Sequence, residues 1–252
     1  MVLPVRLAAH HEAIFGPQSA ALLSKKRFVS TQYYFSNEGQ RPADLIHSHI
    51  GIVSASTGLS ERWAVSASLP FEIQGGSPDA VQGVHDPVFG LRYYAPVTGP
   101  NQNLIAALTV EPPASSLEVR ALGVGAGALY STERGHWSSI LYALTRTEFS
   151  LEEGRRRGNR LFLGGGLAFE AKRLPFSPQL GMSWERTGRR EEEGHAVQGS
   201  RTSALMLHPT LVKTFRDEAV QAFLVFSVPA VQWSGSEGWQ RYRIATGVVW
   251  TF

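Results

Sequence analysis

The chain contains no cysteine. That excludes a disulfide framework, a thiol nucleophile and a thiolate metal site. It also lacks any run of about 18 apolar residues, so no transmembrane helix is expected. Helical periodicity is nearly absent after residue 24. A dominant charge is missing too. The formal net charge is +3, and the two charged runs, Glu152–Arg157 and Arg189–Glu193, mix both signs. A phosphate-tracking stripe would concentrate Lys and Arg, so nucleic acid is not an expected partner. Both runs read as solvated loops.

What remains points to strands. Hydrophobic residues make up 43% of the 252, too many for a disordered chain. The 25 glycines and 14 prolines supply turns. Apolar and polar residues alternate in segments separated by turn chemistry. Strands are predicted over 26–36, 44–57, 62–74, 85–97, 103–112, 122–132, 136–148, 159–171, 175–187, 203–215, 218–231 and 239–251. These are longer than the strands of a soluble sandwich, about 5–6 residues. They suit a tilted strand that crosses a bilayer, about 9–11 residues in the hydrocarbon.

The connections are expected to alternate. Long ones fall at 37–43, 75–84, 113–121, 149–158, 188–202 and 232–238, and short ones at 58–61, 98–102, 133–135, 172–174 and 216–217. Membrane barrels have short turns on one side and longer loops on the other. The fold class is therefore an all-β, transmembrane, antiparallel up-and-down barrel of about twelve strands over residues 25–252. Residues 1–24 read as a signal remnant, with a small-residue site near Ala8–Ala9, or as a periplasmic amino-terminal segment.

Apolar faces should meet lipid and polar faces a wet lumen. Trp63, Val65, Ala67, Leu69, Phe71 and Ile73 share one face of the third strand. In the last strand Tyr242, Ile244, Thr246, Val248, Trp250 and Phe252 oppose Arg241 and Arg243. Trp63, Tyr93, Trp137, Trp184 and Trp250 lie near strand ends, as an interfacial girdle requires. Gly123, Gly125 and Gly127, then Gly164, Gly165 and Gly166, suit curvature and lumen space better than a phosphate loop.

The run Asp86-Pro87-Val88-Phe89-Gly90-Leu91-Arg92-Tyr93-Tyr94 resembles a strand of the outer-membrane transporters grouped with the meta-pathway of phenol degradation. The strand Leu104–Pro113, ending in Glu-Pro-Pro, resembles that family's next strand, which runs into a Pro-rich loop. The terminal Trp250-x-Phe252 strand, with Tyr242 on the same face, resembles the assembly signal read by the barrel-assembly machinery. His85 stands where the family has Gly. The resemblance implies an outer-membrane location, lipid as a partner and a transporter or channel for an unspecified small molecule.

Candidate site residues follow from the faces. Glu72, Arg92, Glu111, Arg160, Glu170, Glu185, His208 and Arg243 are expected to line the lumen, because charge on the lipid face costs about 2–4 kcal/mol at mid-membrane. His47 and His49 share a strand face, expected to be the inner one. With His85, and Glu72 or Asp86, they are candidates for a divalent metal site. No other cofactor is expected. His10, His11 and Glu12 could extend such a site. His136-Trp137-Ser138 offers a nucleophile–base pair for a lipid hydrolase, but at the periplasmic end. An enzyme is not expected. The leading reading is passive diffusion of small molecules, hydrophobic or aromatic compounds included, through a narrow polar lumen. Its rivals are a non-transporting surface barrel with a structural or metal-binding role and a soluble sandwich.

Overall fold

The computed structural model describes residues 27–38, 46–75, 81–97, 99, 101–114, 121–151, 155–156, 158–169, 176–189, 191–192, 195–197, 200–215, 220–234 and 240–252. The strands in chain order are β1 (Phe28–Glu38), β2 (Ile46–Gly58), β3 (Trp63–Gly75), β4 (Val81–Val84), β5 (Val88–Ala95), β6 (Gln102–Glu111), β7 (Ala121–Arg134), β8 (Trp137–Ser150), β9 (Arg155–Arg156), β10 (Arg160–Phe169), β11 (Ser177–Thr187), β12 (Glu191–Glu192), β13 (His195–Ala196), β14 (Thr202–Phe215), β15 (Val220–Ser234) and β16 (Gln240–Thr251). No helix occurs among the described residues.

One sheet runs β2-β1-β16-β15-β14-β11-β10-β8-β7-β6-β5-β3-β4, and β2 also pairs with β3, which closes it. β4 and β5 are two pieces of one stave, so the closed antiparallel barrel has twelve staves. The seam pairs β1 with β16, from Phe28 opposite Thr251 to Glu38 opposite Gln240. Closure leaves no edge strand, which is what lets a sheet cross a bilayer.

The fourth stave breaks for a local reason. β3 pairs with β5 through Ser68 and with β4 from Phe71, leaving Leu69 and Pro70 between. Pro70 and Pro87 lack an amide hydrogen, so the ladder cannot run through both. The Pro70 carbonyl instead accepts from the His85 amide at 3.0 Å. Residues 85–87, expected inside a strand, form this break. The tight β7–β8 turn takes Gly135 at φ 64°, a conformation suited to two-residue hairpins.

The connections alternate less sharply than expected. Residues 170–176 between β10 and β11 span as much chain as 39–45 between β1 and β2. Side still follows from antiparallel order. The connections after β1, β3, β6, β8, β11 and β15 share one end, here the long-loop end. Both described chain ends lie at the other, the short-turn end. Within the two mixed-sign runs, expected as solvated loops, β9 and β12 pair with each other over two residues, and β13 extends them, while Glu191 is exposed.

The outer face is apolar. Leu69, Leu108, Leu141, Leu167 and Leu180 are each at least half exposed. A belt of that kind on every stave is stable only against lipid. Trp63 meets Tyr93 at 4.8 Å and Trp137 meets Phe169 at 4.9 Å between ring centroids at the short-turn end. Tyr242, Ile244, Trp250 and Phe252 also lie outside, with Phe252 71% exposed.

Two stretches of the inner wall are apolar and closely packed. Phe28, Tyr34, Ile50, Ile52, Val212, Phe223, Val225, Ala245 and Val249 pack together from β1, β2, β14, β15 and β16. Ala64, Val88, Tyr94, Ile105, Ala107, Leu129 and Leu144 pack from β3 through β8. These are two apolar half-shells on opposite arcs of the wall.

That packing corrects one expectation. Ser48, Ile50, Ile52 and Ser54 are buried inside, so His47 and His49 point outward. The apolar half-shell takes the β2 isoleucines, and the histidines go with the opposite parity. A second correction concerns Arg241. The β1–β16 register shifts between Asn37 and Glu38, and Arg241 is exposed while Arg243 is buried inside.

Candidate functional site in the barrel lumen

The long-loop half of the lumen is a charged collar. On its first side, Glu111 of β6, Gly123 of β7 and Glu148 of β8 form one row, and Gly125, Arg146 and Arg160 of β10 form the next. Arg146 forms ion pairs with Glu111 at 2.5 Å and with Glu148 at 2.9 Å. Arg160 lies 3.6 Å from Glu148. Two carboxylates and two guanidiniums balance in a buried site, where an uncompensated charge would be costly.

Gly123 makes this reach possible. A Cβ there would lie 3.0 Å from Arg146 Nη2 and 3.1 Å from Glu111 Cβ. Without it, the guanidinium of β8 crosses β7 to the carboxylate of β6. Gly164 serves the same purpose for Tyr142, whose ring occupies the space a Cβ would need. The glycines leave space for particular side chains.

On the other side, Arg243 of β16 bonds Glu185 of β11 at 3.1 Å through Nη2, and a second hydrogen bond at 3.3 Å comes from Nη1. Gln240 also accepts from Arg243. β14 and β15 lie between those staves, so the pair spans that arc of the collar wall. Below it runs a hydrogen-bonded string. Ser183 Oγ meets His208 Nε2 at 2.7 Å, and His208 Nδ1 meets Ser227 Oγ at 2.8 Å. Ser183 also donates to Glu185 at 3.1 Å. Nearer the β4–β5 break, His85 Nε2 meets Glu72 at 2.5 Å, and Asp86 accepts from the Ala114 amide at 2.6 Å.

The short-turn half differs. There Arg92 of β5 donates to the Ser56 hydroxyl of β2 and lies 5.5 Å from the Phe28 ring centroid of β1. It reaches past Ala64 of β3 and links one apolar half-shell to the other along the wall. Such a cation–π contact strengthens when desolvated.

Of the residues expected to line the lumen, Glu72, Arg92, Glu111, Arg160, Glu185, His208 and Arg243 are buried on the inner face. Glu170 lies outside the described residues, as do His10, His11, Glu12 and the rest of residues 1–24. The expected metal set is not assembled. His85 is inside with Glu72. His49 is outside, bonded to Tyr33 Oη at 2.6 Å, and His47 stacks on Phe35 at 6.0 Å. Among the described residues no three His, Asp or Glu side chains converge as metal ligands. His136 sits exposed in the β7–β8 turn, 6.2 Å from the Phe169 ring.

Arg146 and Glu148 belong to the collar and were not expected there. Their signal was parity, since both share the face of Ile140, Tyr142 and Leu144. Threonines alternate with them on the outer face, so neither side of that stretch reads as clearly apolar.

Solved structures share this fold. An outer membrane channel from Pseudomonas putida F1 superposes with a TM-score of 0.76 at 17% identity, over 90% of this chain and 96% of that one. The β domain of the Bordetella autotransporter BrkA gives 0.60 at 11% identity, over 90% and 100%. CymD, a monoaromatic hydrocarbon channel, gives 0.50 at 8% identity, over 96% and 92%. No protein-family model matches the chain, and no curated protein matches it in sequence. The closed barrel and its lipid belt define a transmembrane β-barrel of the bacterial outer membrane.

Proposed function

We propose that the barrel is a narrow outer-membrane channel for small molecules, hydrophobic and aromatic compounds included, which cross by diffusion. The observation that carries this reading is the zoning of the lumen: a charged collar at the long-loop end above two apolar half-shells. An amphipathic solute would find polar partners at entry and apolar walls below. The names of two structural neighbours, an outer membrane channel and a monoaromatic hydrocarbon channel, support it. Aromatic cargo, and the meta-pathway grouping, belong to this proposal.

Twelve staves enclose far less space than the 16–18 of a porin. The inner residues Ile50, Ile52, Leu129 and Met206 are almost wholly buried. Passage therefore needs side chains to move. The test is single-channel recording of the refolded barrel in planar bilayers, with liposome swelling for neutral solutes. Small, solute-dependent conductance is expected. Absence of both current and swelling across salts, metals and aromatic acids would leave a non-transporting surface barrel.

A further inference from the structure

We infer that the outer face around His47 and His49 is a binding site for a phosphorylated glycolipid of the outer leaflet, held by its phosphate and by one acyl chain. The site is on the outside of the barrel and does not depend on conduction. The longer loops of such barrels face the cell exterior. Ile46 opens β2 directly after the β1–β2 connection, so His47 and His49 stand near the outer rim. Their depth follows from β3. Ten residues separate Trp63, in the short-turn girdle, from Ile73, which stands opposite His49. At about 3.4 Å per residue and a tilt of about 40°, that rise is about 25 Å, the height of the apolar band. His49 therefore lies where acyl chains give way to headgroups, and His47 lies two residues nearer the rim.

The sheet gathers rings at this level. Phe35 of β1 stands opposite His49 and meets it at 5.1 Å between ring centroids, stacks on His47 at 6.0 Å and meets Tyr242 of β16 at 5.9 Å. Tyr33 Oη bonds His49 Nδ1 at 2.6 Å. The Nε2 atoms of both histidines, and His47 Nδ1, have no hydrogen-bond partner among the described residues. A neutral imidazole offers one N–H. With Tyr33 donating to Nδ1, His49 carries its N–H on Nε2. Two neighbouring N–H donors suit the oxygens of one phosphate, and a bond to an ionised acceptor is about twice as strong as one to a neutral acceptor.

The wall beside the histidines is indented. A Cβ on Gly51 or on Gly75 would meet nothing within 4 Å. Gly75 is opposite His47, and Gly51 lies between Tyr33 and Phe71. Tyr33 and Phe71 are 42% and 44% exposed, so they flank a shallow groove with a glycine floor. A phosphate beside His47 and His49 leaves its acyl chain to descend over Gly51. The face lies in the bilayer, where its neighbours are lipids or a second barrel. The paired donors need an acceptor, which a phosphate supplies and the apolar belt of a second copy does not.

Native mass spectrometry of the refolded full chain reads the lipid retained from mixed micelles. Diphosphoryl lipid A should be retained at a concentration about tenfold lower than its dephosphorylated form. The double variant H47F/H49F, which keeps rings without donors, should abolish that difference. Gly51→Leu fills the groove and leaves the donors, and should weaken retention of both lipids. His136→Phe, at the opposite end of the barrel, should change neither. Heat-dependent gel mobility establishes that each variant is folded; if the double variant does not fold, H49F alone should reduce the preference. Equal retention of the two lipids by the wild type, or an unchanged preference in the folded histidine variant, overturns the inference. A wild-type dimer in lipid-free detergent that this variant dissociates would assign the face to a second copy and also overturn it.

Discussion

Replacing Gly123 with valine tests the collar at its narrowest point. Valine suits a strand by intrinsic preference, worth up to about 1 kcal/mol, so any loss must come from contacts. Its Cβ would fall 3.0 Å from Arg146 Nη2 and 3.1 Å from Glu111 Cβ, and its two methyl groups need the space the guanidinium occupies. Arg146 would have to withdraw from Glu111 and Glu148, breaking two buried ion pairs. Breaking a buried pair costs about 3–5 kcal/mol. After the strand preference is offset, a net loss of about 2–4 kcal/mol is expected. Urea unfolding of the refolded barrel in micelles, followed by tryptophan fluorescence, measures it. Gly51→Val is the control, because a Cβ at that lipid-facing glycine meets nothing within 4 Å. Repeating Gly123→Val in an Arg146→Met background completes a cycle, and coupling between the sites should shrink the penalty there. A loss no greater than that of Gly51→Val, or an undiminished loss beside Arg146→Met, would refute the account of how Gly123 acts.

The Arg243–Glu185 pair at the long-loop mouth yields a selectivity prediction. Arg243→Ala leaves Glu185 facing the passage and should shift reversal potentials toward cations, whereas Glu185→Ala should shift them toward anions; identical reversal potentials would remove this pair from the permeation path. Phe252→Ala should lower the yield of heat-resistant folded barrel in cells while leaving the unfolding midpoint of purified protein nearly unchanged, since Phe252 is largely exposed. Ser138→Ala should leave lipid hydrolysis at background, measured as fatty acid release from phospholipid vesicles; activity that this variant abolishes would make the barrel an enzyme.

Much of the fold was legible because a strand repeats every two residues and turns have their own chemistry. Predicted and observed bounds agree closely for β3, β11, β14 and β16. The side that each residue faces was legible where the lumen is polar and illegible where it is packed. Ile50 and Ile52 misled for that reason: they cover an inner half-shell, so the assumption of a wet lumen assigned the histidines beside them to the wrong face. The break at residues 85–87 depends on a proline in the neighbouring strand, and Arg241 on a register shift against β1. Neither shows in the segment read alone. The site was legible as a set of charged residues and not as pairs. Arg92 and Ser56 are 36 residues apart and Arg243 and Glu185 are 58, distances at which the register and curvature of the staves between them decide who meets whom.

The β1–β16 seam joins Phe28 to Thr251, so the final sealing contact waits for almost the whole chain. Every other pairing in the barrel is between neighbours in sequence and can form as local hairpins. The seam alone closes a loop of nearly full chain length, at an entropic cost that grows only slowly with that length but must be met before the contact gives any return. A chain stopped short of β16 would leave both β1 and β15 with open hydrogen-bonding edges in a medium that cannot satisfy them. Insertion of this barrel is therefore all-or-none with respect to its last dozen residues, and a truncation there should act on membrane entry as a whole, not on one stave.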